Sequence, residues 1–166
     1  MPVNQALLAE LERESKTTRS ILEKIPTEHL DYKPHEKSYT LGALAAHIGE
    51  INGWLDLMLN ADELDFATMN YTPPAIKESA DIMKVFEENL AKGKVELQNA
   101  TDEKFNGTWR MRHGNQIFFE LPRAEVIRTW VFNHIIHHRA QVGVYLRLLN
   151  ITLPSSYGPT ADSQSM

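Results

Sequence analysis

The sequence predicts an all-α protein, an antiparallel four-helix bundle with a small β-hairpin ahead of the last helix. Three observations carry this prediction. Apolar residues recur at three- and four-residue steps through four long segments; no internal repeat or low-complexity stretch interrupts them; and 166 residues are enough for one substantial core and no more. The chain is therefore read as a single domain over residues 1–166, ordered apart from its last few residues.

The first helix is expected from about Asn4 to Ile25, where Leu7, Leu8, Leu11, Ser15, Thr18, Ile21, Leu22 and Ile25 form one stripe. Pro26 ends it, and Thr27 to Tyr39 reads as turns, with Tyr32-Lys33-Pro34-His35 an extended connection. Thr40 is a suitable cap for a second helix running to Asn60. Asp62 to Thr72 reads as a loop, with room for a short helical turn, leading into Pro73-Pro74, and the third helix is expected from Ser79 to Ala100 on the apolar face of Ile82, Met83, Phe86, Leu90, Val95 (or its neighbour Lys94) and Leu97. Gly93 weakens that pattern without breaking it. Thr108 to Arg112 and Gln116 to Glu120 alternate around His113-Gly114-Asn115, a hairpin signature. Pro122 suits the first turn of a fourth helix, Arg123 to Leu149, and Pro154 with Tyr157-Gly158-Pro159 marks an irregular tail.

Composition excludes several function classes. Hydrophobic residues make up 42% and charged residues 23%, the balance of a soluble globular protein. The formal net charge is −5 and Lys and Arg are not clustered, so the basic footprint of a nucleic-acid binder is missing. No apolar run approaches the ~20 residues of a membrane span. Met1 to Ser20 is polar and charged, unlike a signal peptide, and the expected location is the cytoplasm. Cysteine is absent, which removes disulfides, thiolate ligands and a cysteine nucleophile. Any thiol chemistry then needs a thiol supplied by a co-substrate, and any metal must be held by imidazole, carboxylate or water.

The segment Asn133-His134-Ile135-Ile136-His137-His138-Arg139 holds three of the seven histidines. His134 and His138 are four residues apart, so on a helix their imidazoles stack one turn above the other and can close on one ion. On a wheel of about 100° per residue anchored at Ile127, both fall within roughly 20° of the stripe centre and His137 falls roughly 80° away. His47, on the edge of the second helix's apolar face beside Trp54, can supply a third nitrogen across a seam. An isolated inward histidine is most often a hydrogen-bonded core residue. Two adjacent inward imidazoles favour a metal, because otherwise four ring nitrogens need partners for no gain in apolar packing. Three imidazoles with an open position make a catalytic type of coordination sphere.

Other residues carry weaker signals. Glu50, three residues after His47, is a carboxylate supporting a metal ligand, a general base or a solvated helix charge. Tyr145, seven residues after His138 on the same seam, is either catalytic or a core tyrosine with its hydroxyl bonded. Asn133 and Arg139 suit capping, pairing or an interface, while His29, His35 and His113 fall in loops or turns and should be exposed. No nucleophile elbow and no Gly-rich phosphate loop occurs.

The chain resembles the DinB/YfiT-like family of metalloenzymes, which is unrelated to the DNA polymerase sharing the DinB name. The resemblance runs through Leu22 to Pro34, Thr40 to Trp54 with His47, the His134-Ile-Ile-His-His-Arg-Ala-Gln141 motif and the Tyr157-Gly-Pro-Thr-Ala-Asp162 tail. It implies a four-helix bundle, usually a homodimer, with a divalent metal, nickel or zinc and less often iron, on His47, His134 and His138. Ala140 stands where the family often has Gly. Characterised relatives include S-transferases and an isomerase that use low-molecular-weight thiols. The implied function is a thiol-dependent S-transferase acting on a small-molecule substrate; Glu50 and Tyr145 are candidate catalytic residues by their positions alone. The alternatives are a metal-dependent hydrolase using metal-bound water and a non-catalytic metal-binding stress-response dimer.

Overall fold

Each amphipathic run becomes helix, as its periodicity requires. In the computed structural model, which describes residues 1–163, α1 spans Val3–Leu22, α2 Leu41–Ile51, α3 Trp54–Asn60, α4 Ser79–Asn99 and α5 Asp102–Asn106. The last run begins as α6, Arg123–Ile127, passes through a π-helical turn, Arg128–Asn133, and continues as α7, His134–Leu148. Residues 164–166, on which the expectation of a disordered chain end falls, lie outside the described residues.

Local chemistry sets the helix starts. The Thr40 hydroxyl accepts from the Ala43 backbone N–H at 3.1 Å, which satisfies one of the free donors of the first turn of α2. In α4 Asp81 reaches back from the first turn to the residues before it: its carboxylate accepts from the backbone N–H groups of Lys77 at 2.8 Å and of the capping residue Glu78 at 3.1 Å.

The expectation of an all-α, antiparallel four-helix bundle is corrected. The molecule combines helices with a three-stranded sheet. The hairpin lies where the sequence places it: β2, Thr108–His113, pairs antiparallel with β3, Gln116–Pro122. Gly114 turns the hairpin at a φ of 56°, a left-handed conformation that glycine adopts without a Cβ clash. The third strand, β1 (Glu63–Asp65), lies in the stretch read as a loop and runs parallel to β2. Three residues are too few to show alternation, and their partner lies far along the chain. Side chains fix the pairing: Arg112 donates to Glu63 at 2.6 Å, and the Gly114 N–H donates to Asp65 at 2.9 Å.

The second expected helix, Thr40 to Asn60, is divided at Asn52 and Gly53 into α2 and α3. The division occurs where α4 comes closest. A Cβ on Gly93 of α4 would stand 2.6 Å from the Asn52 carbonyl oxygen, and one on Gly53 would stand 2.1 Å from Asn89 Oδ1. Gly93, the weak point of the helical pattern, is therefore what lets the two backbones touch. The buried Arg123 ties the end of α3 to the start of α6, donating to the carbonyl of Ala61 and the carboxylate of Asp62, each at 2.7 Å, and to the carbonyl of Met58.

The substitution Gly93→Ala tests this approach. Helix propensity alone predicts stabilisation by roughly 1 kcal/mol. Overpacking against a backbone oxygen costs about 1–3 kcal/mol, so we expect a net loss, read as a lower urea midpoint at an unchanged slope.

Candidate metal centre and its cavity

The helix α2 packs on both α4 and α7, and this packing sets His47 against His134 and His138. The potential ligand nitrogens of the three residues all lie within 4.8 Å of one another. His47 Nε2 is 3.3 Å from His134 Nε2. Two ligands of one tetrahedral ion, each at about 2.0–2.1 Å, stand about 3.3–3.4 Å apart, so this pair has the spacing an ion needs.

The other ring nitrogens are occupied in a way that leaves Nε2 free. His134 Nδ1–H donates to the Trp130 carbonyl at 3.3 Å, and His138 Nδ1–H donates to Gln141 Oε1 at 2.7 Å. Each bond fixes the tautomer with a lone pair on Nε2, the usual support behind a ligating histidine. The three side chains are half-buried, and burial holds all of them below the ordinary imidazole range. His47 falls to about 4 through burial and then through the positive charge that His138 and His134 would carry. In His134 and His138 burial outweighs the hydrogen bonds to Trp130 and Gln141. Near neutral pH the group is thus three neutral imidazoles, the protonation state that binds a cation. A three-histidine group of this kind is able to hold a metal ion.

The wheel placed His134 and His138 at the centre of the core stripe. The structure turns them to its flank. Upstream, the buried stripe runs through Val126, Ile127 and Val131; downstream it continues through Ile135, Arg139, Val142 and Leu146. The π-helical turn between them widens the helix and advances the stripe, so an ideal wheel carried past it misplaces both histidines. Both are half-buried instead of packed in the interior, and His134 faces a cavity.

That cavity has a volume of about 950 Å³ and is lined by His47 and His134, by all three tryptophans (Trp54, Trp109 and Trp130), and by residues of both the sheet and the segment after β1. Trp54 stands 5.4 Å from both His47 and His134, centroid to centroid. Glu50 is in the wall. The Tyr71 hydroxyl donates to its carboxylate at 2.8 Å. Burial, partly offset by that bond, raises the Glu50 pKa, and burial followed by the bond to Glu50 pushes Tyr71 up to about 12.

Other expected residues lie elsewhere. Tyr145 is buried, packs edge-on to Tyr32 and donates to the Tyr39 carbonyl at 3.3 Å; it does not line the cavity. Arg139 is a pairing residue, bonded to Glu14 at 2.8 Å and to the Tyr157 hydroxyl at 2.6 Å, which pins the tail to α1. His137, Asn133, His35 and His113 are exposed, and His29 is half-buried in a short 3-10 turn. Tyr71 and Gln141 are site residues that the sequence reading does not single out. Gln141 carried a readable signal, lying three residues after His138, whereas Tyr71 sits in irregular chain where no periodicity points to it.

A family model described as the DinB family matches residues 1–164. The uncharacterized protein YrdA of Bacillus subtilis is 24% identical over 159 residues, which cover 91% of this chain and 86% of YrdA. A crystal structure of a DinB-like protein from Bacillus cereus superposes with a TM-score of 0.70 at 22% identity, covering 91% of this chain and 95% of that one. YjoA, a DinB-like protein from Bacillus subtilis, gives a TM-score of 0.70 at 19% identity over 91% and 96% of the two chains. At these identities the structures establish a shared fold. No helix among the described residues is long and apolar enough to cross a membrane.

The depressed histidines predict an acid-sensitive metal-free protein. His47 takes up its proton at about 4 when folded and near 6.5 when unfolded, so below 6.5 the unfolded chain binds the proton first. Its contribution to stability is complete above 6.5, falls as the pH drops toward 4 and declines no further below that. Denaturation midpoints of chelator-treated protein should follow this course, and His47→Ala should flatten it.

Proposed function

Because this chain belongs to the DinB family, we propose that it is a metal-dependent enzyme, a thiol-dependent S-transferase in which His47, His134 and His138 hold one divalent ion beside the substrate cavity. The observation that carries this reading is the convergence of the three imidazoles, two of them with Nδ1 committed to Trp130 and Gln141. Three nitrogens leave a coordination position open, as catalytic sites do and structural zinc sites do not. Nickel and zinc suit an all-imidazole set, and iron is the next choice.

A divalent ion in such a site lowers the pKa of a thiol or water bound beside it. The chain's own residues do the remainder. Glu50 is the one carboxylate among the described residues of the cavity wall, and its raised pKa brings it nearer to neutrality, where a base accepts a proton most effectively. It takes the proton of an incoming thiol S–H. Tyr71 holds the carboxylate in place and partly screened from water. The three tryptophans keep the surroundings of the reacting group apolar, which strengthens each electrostatic interaction there. The absence of cysteine leaves the thiol to a co-substrate.

Elemental analysis of untagged protein should find close to one divalent ion per chain, lost in both His134→Ala and His138→Ala. Thiol-dependent consumption of an electrophile should disappear with the metal; turnover without added thiol would move the reading to metal-assisted hydrolysis, and metal binding without any turnover to a binding protein.

The variant Glu50→Gln should keep its metal and lose about 10²–10⁴-fold in kcat. An unchanged kcat would remove Glu50 from the mechanism.

A further inference from the structure

We propose that the cavity beside the histidines selects a neutral, multi-ring aromatic molecule over an organic anion, so that it receives an uncharged acceptor substrate. This deepens the enzyme reading above and rests on it for the purpose of the site. The evidence is charge, shape and the direction of the strands.

Among the described residues lining the cavity there is no Lys or Arg, and Glu50 is the only carboxylate. Apart from an ion held on the three histidines, an anion entering this space gives up water and meets no cationic side chain, an unfavourable exchange. The strand alternation explains the deficit. Trp109 and Met111 of β2 face the cavity, so Arg110 and Arg112 lie on the opposite face of the sheet. There both are occupied: Arg112 with Glu63 at 2.6 Å, and Arg110 with Glu120 at 2.5 Å.

The shape suits flat rings. Phe119 and Trp130 stack on each other with centroids 5.4 Å apart and planes 16° from parallel, and both line the cavity, so its wall presents aromatic edges and outer faces. Aromatic rings prefer offset stacking or edge contacts to such a surface, and at about 950 Å³ the space falls within the range of sites for drug-sized ligands. Met58, Met69 and Met111 line the same cavity, and unbranched thioethers adjust to ligands of differing outline.

The test compares phenylnaphthylamine with its sulfonated analogue, anilinonaphthalene sulfonate, which adds a negative charge to the same ring skeleton. Every tryptophan of the chain lines the cavity, so quenching of intrinsic fluorescence reports binding. We expect the neutral dye to bind at least about tenfold tighter. Met69 is 42% exposed, so Met69→Arg should fold and, by supplying a cation, should shift the ratio toward the sulfonate by about tenfold. No binding of the neutral dye, equal binding of both dyes, or a ratio unmoved in Met69→Arg would overturn the inference. Measurements before and after chelation separate the two readings. A protein that takes up no metal but keeps the dye preference overturns the metal-enzyme reading and supports the selectivity of the cavity.

Discussion

The placement of α2 is the constraint on which the rest of the molecule depends. This helix is buried almost all round, through Leu41, Gly42, Leu44, Ala45, Ala46, Ile48, Gly49 and Ile51. Its small residues admit close neighbours: a Cβ on Gly49 would stand 3.1 Å from Val85 and one on Gly42 3.2 Å from the Leu30 carbonyl oxygen. A helix held so tightly between α4 and α7 has little freedom to slide, so His47 reaches the histidines of α7 at a fixed height. The break after α2 follows from the same crowding, and it directs Trp54 toward the site.

The sheet completes what the helices begin. Trp109, Met111 and Phe119 come from the two long strands and stand opposite Trp54, across the cavity they share. The outer face holds the ion pairs of Arg110 and Arg112 with Glu63, Glu120 and Asp65. These pairs are exposed enough that each contributes little stability; their clearer effect is to register β1 on β2. Along β2 the apolar inner face and the charged outer face are two consequences of one alternation, while the register shift beside Arg112 lets both Phe118 and Phe119 of β3 line the cavity.

The histidines combine two opposed requirements. A cation site needs ligands that are neutral at working pH, and half-burial supplies that by depressing their pKa values. Neutral imidazoles in an apolar wall still need partners for both ring nitrogens. The Trp130 carbonyl and the Gln141 side chain occupy Nδ1 on two of the rings. The Trp130 carbonyl belongs to the π-helical turn, so the same irregularity that rotates the histidines off the core stripe also supplies one of their anchors.

The sequence by itself determined the helical runs, the capping of α2 by Thr40, the hairpin, and the pairing of His134 with His138. All of these rest on spacings of a few residues, where periodicity and turn chemistry act directly. His47 was legible as a partner because it lies on the edge of an amphipathic face. Only the tertiary structure decided that β1 joins the sheet, that the second helix breaks at Asn52, that Tyr145 stays in the core, and that Tyr71 holds Glu50 at the cavity. Each depends on a contact between distant segments. The π-helical turn shows the limit most directly: one widened turn is invisible to a wheel of constant pitch, yet it decides which way the metal-ligand candidates face.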